Sequence, residues 1–176
     1  MQYLFQFLVS ILGLFQFWTV VDQFEQGVIL RLGKFNRIIK PGLHWLLPLG
    51  IDHAMTHEVI LTARETQEQS LTTKDGKKIV ISMIISYILI DIKKILLEIE
   101  EAETVLENYA YGIVSELVTE NPLSYIELGG FLRDFEEDFS AEALELGMEI
   151  KKVAIVNMSE IKTLRLLIPS QTVELE

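Results

Sequence analysis

The chain has 176 residues, 49% of them apolar, no cysteine and a formal net charge of −11. That length holds one ordinary globular domain plus an attached segment, and the apolar share excludes wholesale disorder. Without cysteine there is no disulfide framework, thiolate metal site or cysteine nucleophile, and so acidic a chain, lacking any basic stretch interleaved with aromatics, repels nucleic acid phosphates.

Residues 1–60 carry four acids and four bases, so the whole acidic excess lies in residues 61–176. The opening run MQYLFQFLVSILGLFQFWTVV, residues 1–21, has no charged side chain. As a helix it would reach about 30 Å, the thickness of a bilayer's hydrocarbon core. Twelve of its residues are Leu, Ile, Val or Phe, and at about −0.3 to −0.6 kcal/mol each near mid-span they outweigh Gln6, Ser10 and Gln16. A signal peptide would need a basic leader and a small-residue cleavage site, and neither is present. A uniformly apolar helix is rare in the core of so small a domain. The reading is a membrane helix over 1–21 with Phe15, Phe17 and Trp18 as its interfacial belt; a helix re-entering one leaflet is the alternative. Lysines and arginines occur only after it, beginning with Arg31, Lys34, Arg37 and Lys40, which predicts that the bulk of the chain is cytoplasmic.

Next, FEQGVILRLGKF reads as a short strand over Val28, Ile29 and Leu30 that ends in a turn at Gly33. The basic stretch Arg31 to Lys40 then leads into KPGLHWLLPLGI, which is too broken by Pro41 and Pro48 for a regular helix. Apolar loop residues need a core beneath them or an apolar medium outside. Leu43, Trp45, Leu46, Leu47 and Leu49 are therefore expected to contact the membrane, with Arg31, Lys34, Arg37 and Lys40 at anionic headgroups, worth about 1 kcal/mol per charge. The competing reading packs some of these apolar side chains inside the domain and leaves the bases as solvated strand ends.

TKDGKKIVISMIISYILI is a hairpin signal, with Asp75-Gly76 as the tight turn. The strand that follows is apolar on both faces, so both should be covered. From Asp91 the period turns helical, and Ala102, Leu106, Tyr109, Ile113 and Leu117 form one face of a helix ended by Asn121-Pro122. Ser124 to Glu127, SYIE, reads as a capping box, Gly129-Gly130 as an interruption, and Leu132, Phe135, Phe139, Ala143 and Leu146 as a helix face that stops at Gly147. A final strand, MEIKKVAIVNM, closes an α+β order.

Catalytic readings are weak. His53 and His57 fall four apart on a stretch that reads as strand or loop, about 13 Å from each other and too far for shared ligation. Ser82 and Ser86 lack a partner histidine and acid, no glycine pattern cradles phosphate, and DFEEDF lacks the spacing of a calcium loop. No catalytic residue, metal or cofactor is expected.

In unbroken order, QFEQGVILRLGKF, KPGLHWLLP, Asp52, LTARETQEQSLTTKDGKKIVISMIISYILID and LGMEIKKVAIVNM resemble the domain shared by stomatins, prohibitins and flotillins. The resemblance covers residues 22–162 and includes Arg64 and the TKDG turn. It implies an α+β SPFH-type domain of two small subdomains behind the N-terminal membrane helix, the first lying against the bilayer. It further implies a non-catalytic membrane scaffold that forms homo-oligomers and organises a microdomain, with AAA-type membrane proteases as partners of several members. An anchored adaptor that binds one membrane partner through its acidic helical face is the second functional reading. Stomatin-like proteins usually continue into a coiled coil, whereas the short tail 163–176 contains Pro169, which bars a heptad run. The expectation is a smaller ring, or a short subunit within a longer relative's assembly.

Overall fold

Strand β1 (Trp18–Val21) begins where the last turn of the predicted membrane helix was expected. The run Trp-Thr-Val-Val is aromatic and β-branched, and it pairs antiparallel with β4 (Gly42–Trp45) along its whole length. A computed structural model of the chain describes residues 17–161; the rest of the predicted membrane segment and the tail lie outside these residues. Among the described residues no helix is long and apolar enough to cross a membrane.

Strands β2 (Glu25–Arg31), β3 (Lys34–Ile39) and β5 (Asp52–Glu58) form an antiparallel sheet with β2 in the middle. Leu32 and Gly33 make the β2–β3 turn with φ of 49° and 77°, the left-handed pair that suits a two-residue hairpin. Val21, Ile29 and Ile39 form the small core of this subdomain, with Leu46 and Ala54 packed on it.

The second sheet hangs on β8 (Lys78–Leu89), which pairs with β6 (Thr62–Glu65), β7 (Gln69–Thr72) and the long β9 (Met148–Glu160), all antiparallel. The predicted Asp75-Gly76 turn joins β7 to β8, with Gly76 at φ 78°. Ile79, Ile81, Met83, Ile85, Tyr87 and Leu89 are buried on one face. The other face is not fully covered: Val80, Ile84 and Ile88 stay half-exposed, while Ser82 is buried where Glu68 and Asn157 hydrogen-bond across β8 at 3.0 Å. Two bulges, which leave Val156 and Lys151 without partners on β8, interrupt β9.

Four helices complete the described chain: α1 (Ile92–Leu97), α2 (Ala102–Glu120), α3 (Leu123–Glu127) and α4 (Gly130–Glu145). Asp91 caps α1 by accepting the Lys94 amide at 3.2 Å, and α1 packs against β2 and β5, linking the two sheets. The buried stripe of α2 is Ala102, Leu106, Ala110, Val114 and Val118. Tyr109 of the predicted face is exposed, and Ile113 and Leu117 only flank the core. Small Ala110 at the centre suits close approach to the core, a position a tyrosine would not fit. The Ser124 capping box does not form: Pro122 is the N-cap of α3, and Asp75 of the β7–β8 turn accepts the Leu123 amide at 3.3 Å instead. On α4, Phe131, Phe135 and Phe139 stack into the core, with centroids 6.1 and 5.0 Å apart, and Gly147, at φ 81°, ends the helix as predicted.

Two other glycines carry different meanings. A Cβ on Gly27 would lie 2.2 Å from the Met55 carbonyl oxygen, so β2 and β5 approach too closely for a side chain there. Gly112 lies mid-helix in α2, where it costs about 1 kcal/mol relative to alanine, yet a Cβ there would meet nothing within 4 Å. Gly27→Ala is expected to lower stability by about 1–3 kcal/mol through overpacking. Denaturant titration checks this, and an unchanged midpoint would show that β2 and β5 separate freely.

Candidate membrane-contact site

Pairing of β1 with β4 sets Trp18 opposite Trp45 and Val20 opposite Leu43. Side chains alternate across a strand, so these four share one face while Val21 and His44 lie on the other. The shared face is open, with Trp18 54%, Val20 64%, Leu43 59% and Trp45 67% exposed. The two indoles meet edge to face, 6.2 Å between centroids at 83°, a favoured aromatic geometry. The opposite face anchors the ribbon, since Val21 is buried in the small core.

The loop after the ribbon is held by polar contacts. Leu46 donates its amide to the Phe17 carbonyl at 2.7 Å, and Arg37 donates from Nη2 to the Trp45 carbonyl at 3.2 Å. His44 donates from Nε2 to the Lys40 carbonyl at 2.6 Å, which shapes the entry to β4. At the far end, Asp52 accepts from Arg31 Nε at 2.8 Å, from Arg31 Nη2 at 3.1 Å and from the Leu47 amide at 3.0 Å. Only 2% of the Asp52 side chain is accessible, a site where a carboxylate needs such donors. The Leu32 amide donates to the Ile51 carbonyl at 2.7 Å, so the β2–β3 turn lies against the same loop.

Phe15 lies outside the described residues. Phe17, Trp18, Leu43, Trp45, Leu47 and Leu49 are exposed, whereas Leu46 is half-buried against Val21, Ile29 and Ile39. Leu46 is one residue past the exposed Trp45, so the alternation that frees the tryptophan directs the leucine to the core. Arg31 is engaged by Asp52 and Arg37 by the loop backbone, while Lys34 and Lys40 are exposed and form no ion pair among the described residues. Sequence reasoning held Val20 only within the run 1–21, without singling it out, and missed Leu32. Leu32 is 75% exposed at φ 49°, and Leu49 is likewise exposed at φ 63°. A non-glycine residue there is strained by about 1–2 kcal/mol, and a leucine where a turn calls for Asn or Gly was the available signal for Leu32.

The other charged cluster joins the second sheet to its helices. Arg64 on β6 pairs with Glu103 and, at 3.6 Å, with Glu107 of α2. Burial, and then the Glu103 charge, push the nearby Tyr87 phenol up to about 12. Asp52 moves the opposite way: its bond to Arg31, and further the Leu47 amide, hold its carboxyl below the ordinary 3.8 despite burial.

A depressed folded pKa contributes stability that is complete above the ordinary value and lost as pH falls through the folded one. Asp52→Asn is therefore expected to lower the denaturation midpoint at neutral pH, with a deficit that shrinks once pH drops below about 4. A deficit constant down to the most acidic pH at which the protein folds would show that the charge does not hold the loop.

Comparison with known proteins matches residues 19–164 to the SPFH domain / Band 7 family. An uncharacterized protein of Methanocaldococcus jannaschii is 28% identical over 100 residues, 57% of this chain and 50% of that protein. Protein HflK of Vibrio cholerae is 30% identical over 114 residues, 65% of this chain and 28% of HflK. Protein HflK of Haemophilus influenzae is 28% identical over 91 residues, 52% of this chain and 22% of HflK. The matched stretch is thus half or less of these relatives' length.

Proposed function

Because the chain belongs to the SPFH domain / Band 7 family, we propose that it is a non-catalytic, membrane-anchored scaffold. In this reading its first subdomain rests the Trp18–Trp45 ribbon on the bilayer, and copies assemble with one another or with a longer relative to organise a membrane patch. The observation that carries it is the exposed face of Trp18, Val20, Leu43 and Trp45, two of which close the uncharged run of residues 1–21. Four large apolar side chains on one exposed face are a surface that water disfavours and acyl chains accept.

Magnitudes rank the contributions. Full burial of a large apolar side chain is worth about 1.5–3 kcal/mol, so even partial insertion of four gives several. Lys34 and Lys40 add about 1 kcal/mol each at an anionic surface. Apolar insertion leads, and the lysines tune lipid preference and place the domain on the cytoplasmic side.

A second reading is favoured by the acidic surface of α2 and α4, which lies far in sequence from the ribbon: the domain modulates one membrane partner, such as an AAA-type protease. Size separates the two. Electron microscopy of the full chain in nanodiscs is expected to show a many-subunit ring, and a uniformly monomeric particle would sink the scaffold reading.

Bilayer contact has its own probe, because Trp18 and Trp45 are the chain's two tryptophans. In the Trp18→Phe protein, Trp45 emission is expected to be quenched by lipids brominated on their acyl chains. Emission unaffected by those lipids yet fully quenched by aqueous iodide would remove the ribbon from the membrane.

A further inference from the structure

Helices α2 and α4 pack side by side, and their outer surface bears a groove of two adjoining hollows, about 400 and 450 Å³. The hollows share Ile113, Glu116 and Glu142. Tyr109, Gly112, Ile113 and Ala141 give an apolar floor; Glu116, Glu137, Asp138 and Glu142 give an acidic rim. We infer that this groove binds a basic amphipathic helix of a partner protein. The inference deepens the second functional reading and rests on it.

Charge complementarity selects the occupant. Glu116, Glu137, Asp138 and Glu142 form no ion pair with any described residue; Arg133, which also feels the Glu137 charge, is paired with Asp134. These acids are not grouped to hold a metal ion, since no such group occurs among the described residues. An anionic bilayer is repelled by this rim, so a protein with Lys or Arg flanking an apolar stripe is the complement.

Gly112 adds a backbone feature to the groove. It weakens α2 in mid-helix, and no neighbour within 4 Å requires the missing side chain. What the glycine does provide is depth, a place where another backbone can approach α2 closely. From Asn108 to Glu116 the groove runs about 12 Å, two turns of a docked helix.

The test uses the full chain in phosphatidylcholine nanodiscs and a fluorescein-labelled amphipathic peptide of leucine and lysine at helical spacing, read by anisotropy. Saturable binding that weakens with salt is expected. Gly112→Leu should fill the groove and weaken binding at least about tenfold, as should Glu116→Lys with Glu142→Lys through like-charge repulsion. Gly112→Leu should leave the melting temperature unchanged or raised, since it replaces a poor helix former. Glu65→Lys with Glu160→Lys, the same charge change on exposed sites elsewhere, should bind as the parent does. Loss of equal size in that control, or parental binding by Gly112→Leu, overturns the inference. If Gly112→Leu instead dissolves the protein's own oligomer while peptide affinity holds, the occupant is a second copy and the inference also fails. Quenching of Trp45 by brominated lipid should persist in every groove variant, so failed peptide binding with intact quenching refutes this inference and leaves the bilayer reading standing.

Discussion

A carboxylate stripped of water must find donors, and Asp52 finds three on two segments: two from Arg31 at the end of β2 and one from the Leu47 amide in the loop. This one constraint ties the start of β5, the β2–β3 turn and the loop following the ribbon into a single frame. The exposed tryptophan face depends on it, because apolar side chains left in a slack loop would collapse onto the core. Arg37 at the Trp45 carbonyl and Phe17 at the Leu46 amide act in the same sense. The polar contacts oppose the hydrophobic effect locally and keep Trp45 outside while Leu46 goes in.

Charge and hydrophobicity divide the chain between its subdomains. The first subdomain carries balanced charge and exposes apolar side chains; the second carries nearly all of the acidic excess and buries a large core on β8. α1 touches β2 and β5, and Lys93 lies 5.5 Å from the Phe35 ring centroid, so the small sheet is held to the larger subdomain through a short helix. The framework thus keeps an apolar surface and an acidic surface on separate elements that share no residues.

Much of the second subdomain was legible because its signals are local. Asp75-Gly76 makes its turn, Gly147 stops α4, and the phenylalanines spaced by four fall on the buried stripe. What escaped depended on distant partners. An uncharged run ending Trp-Thr-Val-Val suits a helix or a strand equally, and β4 decided for the strand. The serine of SYIE looked like a cap until Asp75 supplied the bond from another turn. Arg31 read as a free headgroup cation because nothing local reveals that Asp52 faces it. The apolar character of the loop was plain from its composition, but the separation of Leu46 from Trp45 required the strand register.

β9 is 13 residues long and, among the described strands, pairs only with β8, so its outer side offers backbone donors and acceptors. At high local concentration a straight free strand would template growth into stacked, cross-strand fibres. The two bulges at Val156 and Lys151 crimp that side, and exposed Lys151 and Lys152 place like charges where a copy's strand would lie. The crimps guard the open edge: two copies can meet side by side without zippering their sheets together.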